Sequence, residues 1–377
     1  MNLESELKKI KCLGLAIAGT NGKSTTAGLV ERVLRHNDRR AMLCGTQARP
    51  VASVVEQSGE LDFVILQVDA QEIRDVKSYR PAVAVLLNLT PDPIDPLANT
   101  EDYARAYAPL FADQQFFDWA IVQTEALTRL RGAGITPAAK TITFSATDPA
   151  ADLVLNRGLL VSRLPNWPGP LLDLDHCLLR GPHNAENLMA TLAVGHVLRI
   201  PLENMVDSLK TYSAGSHRCQ LVAEIQGVQF VDDSKACNLY AMEKAVQAAR
   251  GGPNGEPNVW LIAGGTDSGV DFHAAGPLLS QRVKGAFLMG KVGQKIRSAW
   301  GLFTPCMLAT SLLEAVAEAA RNATSGDVIL FSPACSGLDQ FRNYQHRGQV
   351  FCEAVKSIGR GLASSSPYMH GVSHAAC

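Results

Sequence analysis

The sequence predicts an α/β protein of two domains, each built on a largely parallel sheet. Apolar runs alternate with amphipathic helical stretches, the pattern of strands joined by crossover helices. A glycine loop, Gly19-Thr-Asn-Gly-Lys-Ser24, links the first apolar run to the first long helix. A stretch of small residues, Lys210–His217 with Ser213, Gly215 and Ser216, then reads as a linker between two such patterns. With 377 residues, 46% of them hydrophobic, the chain is long enough for two sizeable cores.

Leu13–Ala18 is apolar and reads as a buried strand, and the helix after Ser24 carries Leu29, Val30, Val33 and Leu34 on one face. Strand, glycine loop and helix N-terminus together form an anion site, because backbone N–H groups and the positive helix end point at one place. Lys23 there would reach β/γ-phosphates and the Ser24 hydroxyl would ligate Mg²⁺. Ile17 stands where the longer G-x-x-x-x-G-K-[ST] pattern has its first glycine, so only the shorter form is present. An ordinary strand–turn–helix that contains Gly-Lys-Ser is the competing reading. The strand before and the helix after favour nucleotide binding.

Further strands are expected at Ala41–Cys44, Phe63–Val68, Val83–Leu89 and Trp119–Gln123, with a helix over about Glu101–Ala112. Lys140–Phe144, Leu153–Leu155 and Gly158–Leu164 read as antiparallel, turning at Asn156-Arg157-Gly158. Asn184–Leu198 reads as a helix. The second pattern starts near Arg218, with a hairpin at Gln226-Gly227 and strands at Val259–Ala263, Gly285–Met289 and Val328–Phe331. Its helices are expected at Tyr240–Arg250, Leu312–Asn322 and Leu338–Ile358. The tail from Leu362, rich in serine and alanine, is expected to be disordered.

A formal net charge of −1 gives no electrostatic case for nucleic acid or an anionic membrane. Nine cysteines, an odd number without a C-x-x-C, point to reduced thiols rather than a disulfide framework or zinc site. No apolar run approaches membrane-spanning length, and the N-terminus has no signal-peptide pattern. These observations predict a cytoplasmic protein without membrane insertion.

Several constellations sit where α/β sheets place ligands, at or just past strand ends. Asn88-Leu-Thr-Pro-Asp92 reads equally as a ligand loop or a helix cap. In His183-Asn184-Ala-Glu-Asn187, Asn187 can read an adenine edge, and Asn184 reads as an N-cap. His217-Arg218 can set a guanidinium against phosphate or stand as a solvated hinge. Asp232-Asp233-Ser234-Lys235 offers a carboxylate and an ammonium to a crevice, or forms a structural ion pair. Cys335, in Ser332-Pro-Ala-Cys-Ser336, lacks the histidine and acid that a thiol nucleophile needs.

Taken in order, these elements resemble the Mur ligase family, most closely its MurD-type branch, the UDP-N-acetylmuramoyl-L-alanine:D-glutamate ligases. The resemblance rests on Gly19–Ser24, Arg80-Pro81 with Asn88–Asp92, His183-Asn184-x-x-Asn187 and His217-Arg218. It continues through Asp233-Ser-Lys-Ala236 with Asn238, Gly264-Gly265 with Asp271-Phe272, and Ser332–Cys335 with Asp339-x-Phe-x-Asn343 and Arg347-Gly348. It implies a P-loop ATPase-like domain over 1–213 and a Rossmann-like closing domain over 214–362, followed by a tail over 363–377. It also implies ATP and Mg²⁺, with a carboxylate activated as an acyl phosphate and then attacked by an amine. By resemblance Gly19, Thr20, Asn21, Gly22, Lys23, Ser24 and Thr25 hold phosphate, with Ser24 on Mg²⁺. His183, Asn184 and Asn187 lie at adenine, and Arg218 and Asp233 at phosphate and ribose. Lys23, Asn88 and Lys235 fall on catalytic positions, and His217, Asn238, Ser336 and Tyr344 on substrate positions.

The sequence also departs from that family. The family's N-terminal UDP-binding domain is expected to be missing, since the glycine loop comes so early. Its acidic metal ligand falls on Gln67, its motif histidine on Pro93, and the lysine it carbamylates on Tyr107. Gly45-Thr46-Gln47-Ala48 replaces the muramoyl-substrate motif. The D-glutamate pocket reads Cys237, Ser268, Gly337 and Tyr344. Asp69, Asp92 or Asp95 can rebuild part of a metal shell. The nucleotide half is thus kept and the chemistry half eroded. The expectation is a ligase homologue of peptidoglycan precursor synthesis, with ATP, a precursor and an amino acid as ligands and a partner chain supplying the UDP-binding domain. A nucleotide-binding pseudo-ligase that scaffolds or regulates a complete Mur ligase is the rival, as is a ligase for other substrates.

Overall fold

A computed structural model describes residues 3–46, 49–90, 100–179, 181–212, 216–252, 255–266, 269–337 and 339–365. Spatial proximity divides the chain into two compact units, Met1–Ser213 and Ala214–Cys377.

The first unit holds a nine-stranded sheet in the order β2-β3-β1-β4-β5-β6-β7-β8-β9. Its strands are β1 (Leu13–Ala18), β2 (Ala41–Cys44), β3 (Phe63–Gln67), β4 (Val83–Leu86), β5 (Trp119–Gln123), β6 (Lys140–Ser145), β7 (Leu153–Asn156), β8 (Leu159–Ser162) and β9 (Gly169–Asp173). From β2 to β7 every pairing is parallel. The central strands are buried on both faces, which is why β1, β3 and β4 read as unbroken apolar runs. The helices are α1 (Leu3–Leu7), α2 (Lys23–His36), α3 (Ala52–Val55), α4 (Ala70–Ile73), α5 (Thr100–Ala106), α6 (Pro109–Ala112), α7 (Thr124–Gly132), α8 (Pro182–Val197) and α9 (Leu202–Lys210). α2 buries Leu29, Val30, Val33 and Leu34, and α8 is buried along most of its length.

Two expectations are corrected here. β6 and β7 pair in parallel, at Phe144↔Leu153 and Ser145↔Val154, and only β7–β8 and β8–β9 are antiparallel. The cause is local: Asp152 accepts from both the Thr143 N–H and hydroxyl at 2.8 Å, so the chain returns alongside β6 instead of folding back on it. The β7–β8 turn does use Arg157 and Gly158, at φ 48° and 88°. The expected 101–112 helix breaks into α5 and α6, because Pro109 has no N–H to continue the ladder.

The second unit has a six-stranded sheet, order β10-β11-β15-β12-β13-β14. Its strands are β10 (Gln220–Ile225), β11 (Val228–Asp232), β12 (Val259–Gly264), β13 (Val283–Met289), β14 (Cys306–Leu308) and β15 (Val328–Phe331). Only the β10–β11 hairpin is antiparallel. The helices are α10 (Leu239–Ala248), α11 (Gly276–Arg282), α12 (Gly293–Trp300), α13 (Leu312–Asn322) and α14 (Tyr344–Ser365). Strand order reverses between β12 and β15, so the loops after those strands flank a switch-point crevice. The last helix begins at Tyr344 rather than at 338, once Asn343 Oδ1 has accepted the His346 N–H at 2.8 Å. It runs to Ser365, past the point where disorder was expected to begin. The rest of the expected tail lies outside the described residues. Among those residues no helix is long and apolar enough to cross a membrane.

Candidate functional site

In the first unit the loop after β1 adopts the shape that its glycines permit. Gly22, at φ 87°, is the α2 N-cap, and a Cβ there would lie 2.4 Å from Asn187 Oδ1. Gly19, at φ 134°, abuts Leu87 and the Asn88 backbone. Neither position accepts a side chain without strain. Asn88 laces the β4 loop to this one: its Oδ1 accepts from Asn21 N at 2.9 Å and its Nδ2 donates to Asn21 O at 3.0 Å. Thr20 Oγ1 donates to Thr90 O at 2.8 Å and accepts from Thr90 N at 3.1 Å. The α2 N-terminus, with Ser24 and Thr25 in its first turn, is thereby held at the carboxyl edge of the sheet.

Lys23 curls over this loop. Its ammonium donates to Gly19 O at 2.6 Å and Thr20 O at 3.1 Å, and pairs with Asp69 Oδ1 at 2.8 Å. Asp69 is the N-cap of α4, in a capping box with Glu72. Tyr107 is almost fully buried, at 1% exposure. Burial pushes its hydroxyl pKa well up, the Asp69 charge adds to this, and hydrogen bonds with the Gly19 and Ala70 backbone oppose it. Gln67, at the end of β3, keeps a buried Oε1 with no hydrogen-bond partner among the described residues.

α8 supports the loop from below. Its N-cap is Gly181, with Pro182 at the first helical position, so Asn184 is not the cap that the sequence suggested. Asn184 and Asn187 are buried, and Asn187 joins the two helices: its Oδ1 accepts from Thr26 Oγ1 at 3.2 Å and its Nδ2 donates to Asn184 Oδ1 at 3.3 Å. His183, one residue into the same turn, is half-buried. Asp92, Pro93 and Asp95, with Gln47, Ala48 and Ser268, lie outside the described residues.

In the second unit the strand ends gather His217, Arg218, Lys235 and Tyr344. Lys235 Nζ lies 5.0 Å from the Tyr344 ring centre, and the His217 ring meets the same ring edge-on at 6.2 Å. His217 Nδ1 bonds buried Asp232 at 2.7 Å, and among the described residues the alternative of an Asp–Lys ion pair within this motif is not formed. Burial, then the neighbouring Arg218 charge, lowers the Lys235 pKa to about 8. Asp233 turns inward: it accepts from Cys219 N at 3.2 Å and Ser332 Oγ at 2.7 Å. Burial pushes its pKa up to about 7 against those bonds. Asn238 caps α10 through Ala241 N at 2.8 Å. Ser336 O accepts from Thr266 N and Oγ1, joining the loops after β12 and β15.

Sequence reasoning named Arg347 only as part of the resemblance and gave it no role, yet it organises these loops. Arg347, 2% exposed, donates to Ser234 O at 2.7 Å, Cys335 O at 2.9 Å and Ala236 O at 3.2 Å. A further signal was its place as an arginine on the inward stripe of α14, three residues past Tyr344.

Residues 17–195 match the Mur ligase middle domain and residues 217–335 the Mur ligase glutamate ligase domain. The UDP-N-acetylmuramoylalanine–D-glutamate ligase of Acidobacterium capsulatum is 33% identical over 365 residues, spanning 96% of this chain and 77% of that protein. The chain belongs to the Mur ligase family. Solved structures share the fold. The MurF ligase of Thermotoga maritima in complex with ADP superposes with a TM-score of 0.71 at 16% identity, over 94% of this chain and 83% of its own. E. coli FolC in complex with DHPP and ADP gives 0.66 at 18%, over 96% and 92%.

For this Mur ligase family member, the oxygen donors at the first edge are the Ser24 hydroxyl, the unpartnered Gln67 amide oxygen and the Asp69 carboxylate. Hard oxygen donors with few carboxylates suit a Mg²⁺ that also binds phosphate and water. Among the described residues no group of three or more His, Cys, Asp and Glu side chains could hold a metal by itself. The position that the resemblance gives to a carbamylated lysine holds Tyr107, which has no amine to carry a carbamate.

Proposed function

We propose that this protein binds Mg-ATP at the Gly19–Thr25 loop and is an ATP-dependent carboxylate–amine ligase homologue of peptidoglycan precursor synthesis. The observation that carries the reading is the loop itself, two glycines at positive φ placing Lys23 at a helix N-terminus. The names of the curated relatives and the ADP in the related structures support it. In that reaction a carboxylate oxygen attacks the γ-phosphorus and ADP leaves. The amine of D-glutamate or another amino acid then displaces phosphate from the acyl phosphate. Lys23 and the loop amides would neutralise charge on the transferring group. A reaction fed by ATP and a UDP-linked precursor belongs to the cytoplasm.

The chain's own residues argue for slow ligation. Gln67 is neutral, and Tyr107 cannot be carbamylated. Loss of one charge-stabilising group costs about 10²–10³ in rate, and groups that act as a unit fail together. The same Tyr107 favours a second reading, a nucleotide-binding pseudo-ligase that scaffolds or regulates a complete Mur ligase.

Calorimetry is expected to show Mg-ATP binding by the wild type and none by Lys23→Ala; equal affinities would overturn the nucleotide reading. ADP release with UDP-N-acetylmuramoyl-L-alanine and D-glutamate, at high Mg²⁺ and with bicarbonate, is expected below the roughly 1–10³ s⁻¹ usual for enzymes. Turnover within that range would overturn the slow-ligase conclusion.

A further inference from the structure

The Lys23 ammonium is saturated before any phosphate arrives. It has three protons to donate, and Gly19 O at 2.6 Å, Thr20 O at 3.1 Å and Asp69 Oδ1 at 2.8 Å engage them. Asp69 is itself fixed in place, because its side chain caps the Glu72 N–H and its own N–H is held by Glu72 Oε2 at 3.2 Å. A carboxylate therefore sits on the cation that the loop presents to an anion. Its side chain is 55% exposed, whereas that of Lys23 is 13% exposed, so the acid is the ligand easiest to displace. The two loop carbonyls belong to the fold that positions the lysine and have nowhere else to go.

We infer that Asp69 competes with phosphate for Lys23 and so makes nucleotide binding depend on a divalent cation. This rests on the reading that the loop binds ATP. A metal-free polyphosphate must take Lys23 from Asp69 and then sit beside an unpaired carboxylate. A polyphosphate that brings a cation gives Asp69 a new positive neighbour, so both anions stay neutralised. Asp69 thus sets the form of the nucleotide that the cradle accepts.

Asp69→Asn removes the charge and keeps the cap, since asparagine caps helices as well as aspartate does. ATP affinity is measured by calorimetry for wild type and variant, once in EDTA and once in excess Mg²⁺, with thermal midpoints as a check on folding. In EDTA the variant is expected to bind roughly three- to tenfold more tightly, the scale of one lost ion pair and one lost repulsion. The affinity gained on adding Mg²⁺ is expected to shrink by at least as much, at an unchanged midpoint. Metal-free affinity that is unchanged or weaker in the variant, with Mg-ATP still bound by the wild type, would overturn this inference alone. No Mg-ATP binding by the wild type would overturn the nucleotide reading and this inference with it.

Discussion

The two units set charge at the ends of their parallel strands in opposite ways. In the first, Lys23 and Asp69 meet at the surface edge, and the acid is more than half exposed. In the second, Asp232, Asp233 and Arg347 are buried and bonded inward, while Arg218 and Lys235 remain less buried above them. An exposed carboxylate exchanges partners at little cost, because water replaces what it loses. A buried charge does not, because its bonds replace its solvation. The first edge is built to trade ligands and the second to hold a shape.

Removal of the buried guanidinium tests that difference most severely. Arg347→Ala would leave the Ser234, Ala236 and Cys335 carbonyls without their donor. The expected loss is about 3–5 kcal/mol, confined to the second unit. Hydrogen exchange should speed up in β11 and β15 and stay unchanged in β1 and β4. Equal acceleration in both sheets, or none, would break the contrast. Arg347→Lys should recover little, since an ammonium cannot span the same fork of acceptors.

Much of the first edge was legible because its information is local. Gly19–Ser24 announces a strand, a turn and a helix within one short run, and the structure closes it as a P-loop of that shape. Arg347 was not legible as an organiser, since its acceptors lie 12, 111 and 113 residues away. Nothing in a periodicity reports such a convergence. The β6–β7 pairing failed for a related reason: two residues of register leave almost no hydrophobic pattern to read. Tyr107 was legible only by resemblance, and its burial against the loop became visible only in the fold.

Asp233 sharpens the comparison through pH. Its folded pKa, about 7, lies above the ordinary value of 3.8, chiefly through burial. Between those values the folded state holds a proton that the unfolded state has released. Stability of the second unit should therefore fall as pH rises through that window and level off above about 7. The full loss is on the order of 2–4 kcal/mol. Asp233→Asn cannot ionise and should remove this slope. Urea midpoints of wild type and variant, compared from acid to neutral pH, are expected to diverge in favour of the variant as pH increases. A constant difference would show that Asp233 ionises in the fold without cost.

The smallest effect is expected beneath the glycine loop. The buried Asn187 side chain makes only long bonds among the described residues, at 3.2 Å to Thr26 and 3.3 Å to Asn184. Its truncation to alanine should cost the first unit about 1–2 kcal/mol, most of it from polar partners left buried. More telling is its coupling to Gly22, where a Cβ would lie 2.4 Å from Asn187 Oδ1. Gly22→Ala carries two penalties in the wild type: the strain of a positive φ and the clash with this amide. In an Asn187→Ala background only the strain remains. The double variant should therefore be more stable than the sum of the two single losses predicts, by roughly 0.5–3 kcal/mol. Additive losses would mean that the loop shifts freely away from α8. The first edge would then be held by Asn88 and Thr20 alone, and its support from below would count for nothing.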